Sequence, residues 1–174
     1  MSGPGERITP AGVSPQEFRD TLARWASGVT VVTARAGDEP VGLTAASFSS
    51  LSLDPPLVLV CVARSAHSHD GLVEAPGFAV HVLGADQADL SERFARAGAE
   101  KFAGLPDERG PYEVPLIPFG VARMVCAHED ALPGGDHTIL VGRVVAAERA
   151  GDDPLVYANR TYNRLAPLTP PATT

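Results

Sequence analysis

The sequence predicts a mainly β domain, an antiparallel barrel with helices at its periphery, and three observations carry that reading. Apolar and β-branched runs of strand length recur along the chain, at 29–33, 57–62, 78–83, 121–128 and 137–147. Links of hairpin length, rich in Gly, Asp and Pro, join several of them. Strands and helices do not alternate one for one and no internal repeat is present, which argues against a doubly wound parallel sheet.

Residues 1–13 are dominated by Gly, Pro and polar types, and 166–174 read APLTPPATT. Neither end can bury much apolar surface, so both are expected to be flexible, with one folded domain over 14–165. Ser14, Pro15 and Glu17 form a capping box that opens a helix, and Phe18, Leu22 and Trp25 fall on one face expected to be buried. After Gly28, the run 29–33 reads as a strand, Gly37-Asp38-Glu39-Pro40 as a turn, and 41–53 as the returning strand of a hairpin. Asp54-Pro55-Pro56 stops that strand, because proline gives a ladder no N–H. The apolar run 57–62 is a strand buried on both faces. Two helices, near 70–75 and over 86–97, interrupt the later strands, and in the second Leu90 and Phe94 share a face.

Composition excludes several function classes. With 174 residues and 44% apolar types, the chain can build a core without metal or disulfide staples. A formal charge of −7 and a pI near 5.1 repel nucleic acid and anionic membranes, so any bound phosphate must be held by local donors. No run of about 18 apolar residues could cross a bilayer, and the start MSGPGERITPAG lacks the order of a secretion signal; a cytoplasmic protein is expected. Cys61 and Cys126 each sit in an apolar run and form no CxxC pair, which predicts two buried free thiols. No G-x-G-x-x-G follows a strand and no G-x-x-x-x-G-K-[ST] occurs, so Rossmann and P-loop sites are not expected. His67-x-His69 lacks a third ligand at metal spacing, and no metal is expected. Asp136 and His137, as strand neighbours, are expected to point to opposite faces and not to orient one another, which with no G-x-S-x-G elbow argues against a hydrolase triad.

Four stretches carry chemistry. Small and hydroxyl residues are dense in 42–52, and Leu43, Thr44, Ala45, Ala46 and Ser47 would let a flat ligand approach the backbone while hydroxyls and N–H groups bind its carbonyl and phosphate oxygens. A water-facing edge strand has the same composition. Ala63, Arg64, Ser65 and Ser68 lie where an apolar strand gives way to a helix, a place where guanidinium, hydroxyls and helical N–H groups can hold a phosphate. Lys101, in Lys101-Phe102-Ala103-Gly104, could add one phosphate contact. Gly134-Gly135-Asp136-His137 is a glycine turn delivering His137 onto a strand, where it could touch a second ligand lying over the first.

In order and nearly end to end, these stretches resemble the flavin reductase-like family, the short-chain NAD(P)H:flavin oxidoreductases that partner flavin-dependent monooxygenases. The resemblance rests on Gly28-Val29-Thr30-Val31-Val32-Thr33, Thr44-Ala45-Ala46-Ser47-Phe48, Ser52-Leu53-Asp54-Pro55-Pro56, Phe78-Ala79-Val80-His81-Val82-Leu83, Lys101-Phe102-Ala103-Gly104, Gly135-Asp136-His137 and Pro154-Leu155-Val156-Tyr157. It implies a split β-barrel with flavin clefts at a homodimer interface. It implies FMN or FAD with the ring beside 43–47 and the phosphate tail near 63–68 and Lys101. NADH or NADPH would donate hydride beside His137, and a monooxygenase would receive the reduced flavin. No basic pair near His137 marks a 2′-phosphate site, which favours NADH. The chain departs from the family at His81, where asparagine is frequent, and in the histidine-rich run at 65–69. Two other readings stay open on these residues: a flavin carrier or sensor without turnover, and a reductase with tightly held flavin acting directly on a quinone or nitro compound.

Overall fold

The computed structural model describes residues 12–168. The elements run α1 (Pro15–Leu22), β1 (Ser27–Gly28), β2 (Thr30–Ala36), β3 (Glu39–Ala45), β4 (Ser49–Leu53), β5 (Pro56–Ala63), α2 (His69–Glu74), β6 (Gly77–Val82) and α3 (Ala88–Ala95). They continue with a 3-10 turn (Ala99–Phe102), β7 (Glu108–Arg109), a second 3-10 turn (Pro111–Glu113), β8 (Pro115–Leu116), β9 (Ala122–Gly134), β10 (His137–Arg149), β11 (Val156–Ala158) and β12 (Thr161–Asn163). The fold is mainly β, as expected. Of the ends expected to be flexible, 1–11 and 169–174 lie outside the described residues.

One antiparallel sheet in the order β3-β2-β6-β9-β10-β5-β4 organises the chain. Two of its hairpins close on the same chemistry. Ala36 pairs with Glu39 across Gly37-Asp38, and Gly134 with His137 across Gly135-Asp136, with Gly37 and Gly135 at φ of 59° and 69°. A two-residue hairpin loop requires positive φ at that first position, and glycine takes it without a Cβ clash.

Alternation along β2 sends Val32 and Ala34 into one buried cluster with Val60, Leu72, Phe78 and Leu140, while Val31 joins a second with Leu83, Phe94, Ile117 and Leu155. The sheet is therefore covered on both faces around β2, by α2 on one and α3 on the other. Phe78 fits the first cluster because position 142 is glycine; a Cβ there would overlap its ring.

Two expectations are corrected. The run 41–53 is not one strand: β3 ends at Ala45, residues 46–48 leave the ladder, and β4 pairs with β5 at the opposite edge through the Asp54-Pro55 turn. The tight turn brings β4 against the strand that follows it, and β3 has already spent its inner edge on β2. Second, the stripe expected on α1 is not buried: Phe18 and Leu22 are 55% and 51% exposed, and Trp25, 74% exposed, lies beyond the end of the helix. The capping box forms as read, with the Ser14 amide donating to Glu17 Oε2 at 2.8 Å and the Glu17 amide to Ser14 Oγ at 3.2 Å. The helix presents its polar side to the body instead. Asp20 pairs with Arg160, Arg24 Nη1 donates to Asn159 Oδ1 at 2.9 Å, and the Asn159 amide donates to Ala23 O, all on the β11–β12 hairpin. Among the described residues no helix is long and apolar enough to cross a membrane.

Candidate functional site

A cavity of about 470 Å³ opens between the end of β3, the end of β5 with the loop after it, and the end of α3. It brings together Leu43, Thr44, Ala45, Ala46, Ser47, Ala63, Ser65, Ser68, Lys101 and His137. Arg64 is not in the lining. It is exposed, between two lining neighbours, and its amide donates to Asp136 O at 3.0 Å, which ties the β5 end to the β9–β10 turn.

Most of the hydroxyls expected to meet a ligand are committed to the frame. Ser47 Oγ accepts from the Cys61 amide at 3.1 Å and donates to Cys61 O at 2.9 Å, so one side chain substitutes for a strand and clips the end of β3 to β5. Thr44 Oγ1 donates to Ser91 O at 2.5 Å and fastens α3 over β3. Gly42 O accepts from Ser68 Oγ at 2.8 Å and from Lys101 Nζ at 3.0 Å, and Lys101 Nζ also donates to Phe94 O at 3.0 Å. Lys101 is thus a staple with one N–H left over, and partial burial lowers its pKa. A Cβ at Gly42 would come within 3.0 Å of both the Phe94 ring and Val32 O, so glycine lets α3 sit this close.

The free donors lie in the loop. Among the described residues the amides of Ser65, His67 and Ser68 have no intramolecular acceptor, whereas those of Ala66 and His69 are used in turns to Ala63 O and Ala66 O. His69 is spent on Asp70 Oδ1 at 2.7 Å and Thr138 Oγ1 at 2.8 Å; His67 is exposed and lines the cavity.

His137 stands at the rim with its side chain 41% exposed and Nδ1 2.7 Å from Asp136 Oδ1. The pairing corrects the expectation from strand alternation. Asp136 belongs to the turn, so the opposite-face rule does not reach it. The hydrogen bond from His137, then its charge, holds the Asp136 carboxyl below the usual carboxylate range. In the neutral ring, Nδ1–H donated to Asp136 leaves Nε2 as an acceptor.

Cys61 also lines the cavity and is half-buried, unlike the expected buried thiol; Cys126 is buried as expected, and burial pushes its thiol up to about 12. Sequence reasoning missed Cys61, Phe94, Ala95, Arg96 and Ala97 as lining residues. The available signal was the apolar face of α3, which Phe94 extends into the cavity wall. A larger hollow of about 530 Å³ on the outer side of α3 shares Arg96, Ala97 and Lys101. Its cations are already engaged, Arg93 by Glu100 O and Arg96 by Glu92 at 3.6 Å, so nothing converges there.

The sequence profile of the family described as "Flavin reductase like domain" matches residues 22–166. The chain belongs to that family. It is 43% identical over 164 residues to the "FMN reductase (NADH) SmoA" of Agrobacterium fabrum, covering 94% of this chain and 94% of that protein. It is 36% identical to the "4-nitrophenol 4-monooxygenase/4-nitrocatechol 2-monooxygenase, reductase component" of Rhodococcus opacus, over 87% of this chain and 81% of that one. A solved structure of the Streptomyces globisporus NADH:FAD oxidoreductase SgcE6 in complex with NAD and FAD fragments superposes with a TM-score of 0.82 at 37% identity, over 94% of this chain and 100% of that one. Against this flavin reductase background the lining suits such an occupant: the small side chains of 44–47 suit a flat ring, and the free amides of Ser65, His67 and Ser68 suit an anionic tail.

Proposed function

We propose that this chain is an NADH-dependent flavin reductase that binds FMN or FAD in the cavity between β3 and β5 and supplies reduced flavin to a separate monooxygenase. The observation carrying the reading is the convergence of 43–47, the 63–68 loop, Lys101 and His137, distant in sequence, on one cavity in a chain of this family. Bound flavin supplies the chemistry, accepting hydride from a reduced nicotinamide. The protein's part is to bind and align. Ala45 and Ala46 keep side chains out of the plane of an approaching ring. The amides of Ser65, His67 and Ser68, with Ser65 Oγ and the remaining Lys101 N–H, hold the phosphate tail in an otherwise acidic protein. His137, steadied by Asp136, uses Nε2 to accept from the nicotinamide carboxamide and set the ring's angle.

The fold on this reading is a split barrel over 14–165, supported by the Ser47–Cys61 clip that draws β3 to β5 although no ladder joins them. Exposed Phe18 and Leu22 on α1 and Trp25 just beyond it, with Leu51 and Leu53 on β4, support burial against a second copy in a homodimer. The free cysteines suit the reducing cytoplasm. Steady-state NADH consumption with added FMN or FAD tests the reading: turnover requires added flavin, and NADH outruns NADPH. Flavin uptake with no steady NADH consumption makes the chain a carrier. Protein that stays yellow through gel filtration and reduces a quinone without added flavin makes it a direct reductase.

A further inference from the structure

A separate cavity of about 220 Å³ lies between the tip of the β2–β3 hairpin and the segment 102–117. Phe102, Leu105, Pro115, Leu116 and Ile117 give it apolar walls. The charged groups around it neutralise one another with one exception. Arg109 is held by Asp107 at 3.2 Å and Glu113 at 3.4 Å, and Glu108 by Arg123 at 3.3 Å. The Arg35 guanidinium makes no hydrogen bond among the described residues, although its side chain is only 18% exposed. Its one nearby carboxylate, Asp38, stands 3.9 Å away on a fully exposed side chain, beyond hydrogen-bonding reach and screened by solvent. Its N–H donors are partly exposed and claimed by no described residue, so an anion entering the cavity finds them free.

We propose that this cavity binds a small organic carboxylate with an apolar body, the carboxylate forked onto Arg35 and the body against Phe102, Leu105 and Ile117. A guanidinium matches two carboxylate oxygens in one plane. The apolar walls disfavour a hydrated phosphate dianion. The volume falls below the roughly 300 Å³ at which drug-sized ligands begin, so the ligand carries one ring or a short branched chain, and a nucleotide is excluded. The position is one aromatic contact from the flavin-sized cavity, because Phe102 packs edge-on against Phe94 with ring centroids 5.1 Å apart.

The test is a titration of the full chain, kept in excess FMN, with benzoate, benzamide and acetate, followed by amide shifts in two-dimensional NMR. Benzoate should shift Arg35, Phe102, Leu105 and Ile117 saturably, while benzamide and acetate bind about tenfold more weakly or not at all. Arg35→Gln should weaken benzoate about tenfold, and Asp38→Asn, which removes the competing carboxylate on an exposed turn, should tighten it. The proposal is overturned by the absence of saturable shifts, by benzamide binding as well as benzoate, or by benzoate binding unchanged in Arg35→Gln. If Arg35→Gln does not fold, unchanged affinity in Asp38→Asn overturns it. Failure of FMN to bind counts against the flavin reading alone, since the comparison among the three probes and the variants stands without it.

Discussion

His81 on β6 and His137 at the start of β10 belong to the same seven-stranded sheet, yet one is sealed inside it and the other stands at the rim of the flavin-sized cavity. Thr33 donates its own hydrogen to Pro115 O at 2.6 Å, so its oxygen, 3.1 Å from His81 Nε2, accepts from that ring nitrogen. His81 Nδ1 is left without a partner in the interior, and burial, then the charge of its ladder neighbour Arg123, pushes the pKa down to about 3. His137 has the reverse arrangement: Nδ1 is anchored on Asp136 and the other nitrogen is free. The sealed ring is a stability element that must stay neutral. On the proposed reading, the open one offers an acceptor to a ligand.

The largest effect should come from acid. His81 titrates near 6.5 in the unfolded chain and about 3 in the folded one, so its contribution to stability is fully present above 6.5 and is lost as pH falls toward 3. Across that window the loss is on the order of 4–5 kcal/mol. Denaturant melts from neutral pH to about pH 4 should show it. His81→Leu should flatten the acid side, with little cost at neutral pH because Thr33 keeps its bond to Pro115; an unchanged acid slope would contradict the assignment to His81.

At the rim, His137→Ala should cut kcat/KM for NADH by about tenfold or more, with FMN affinity unchanged and stability within about 0.5 kcal/mol. Asp136→Asn should show a fraction of the same loss, because the ring remains but its orientation is released. Unchanged NADH kinetics in His137→Ala would end the contrast between the two histidines. Ser47→Ala removes both hydrogen bonds to Cys61 and should cost about 1 kcal/mol of stability while raising the flavin Kd several-fold and sparing KM for NADH. The smallest effect is a labelling pattern. At neutral pH iodoacetamide should modify half-buried Cys61 and spare Cys126, and added FMN should slow the reaction at Cys61.

Most strands of the seven-stranded sheet, both Gly-Asp turns and the α1 capping box were legible because their signals are local: side-chain period, positive φ at glycine, and a serine three residues before a glutamate. The burial of α1 was not. Periodicity puts Phe18 and Leu22 on one face but shows neither that the helix stops short of Trp25 nor which face meets the body, and here Asp20 and Arg24 decide the latter through Asn159 and Arg160, far away in the chain. The break after Ala45 was equally hidden, since apolar and small polar residues continue to mix through 46–53 while the pairing partner changes from β2 to β5. Within the cavity, composition revealed where hydroxyls are dense but not that Thr44, Ser47 and Ser68 spend their hydrogens on Ser91, Cys61 and Gly42. Asp136 turned on a single residue, where strand gives way to turn and the alternation rule stops.

A crystal structure of the full chain soaked with FMN tests the central claim most directly. The account predicts density for the three-ring system flat against 43–47, its phosphate toward the amides of Ser65, His67 and Ser68, and His137 at the open face. Flavin density elsewhere on the molecule, or an empty cavity at an FMN concentration that saturates NADH turnover, contradicts it.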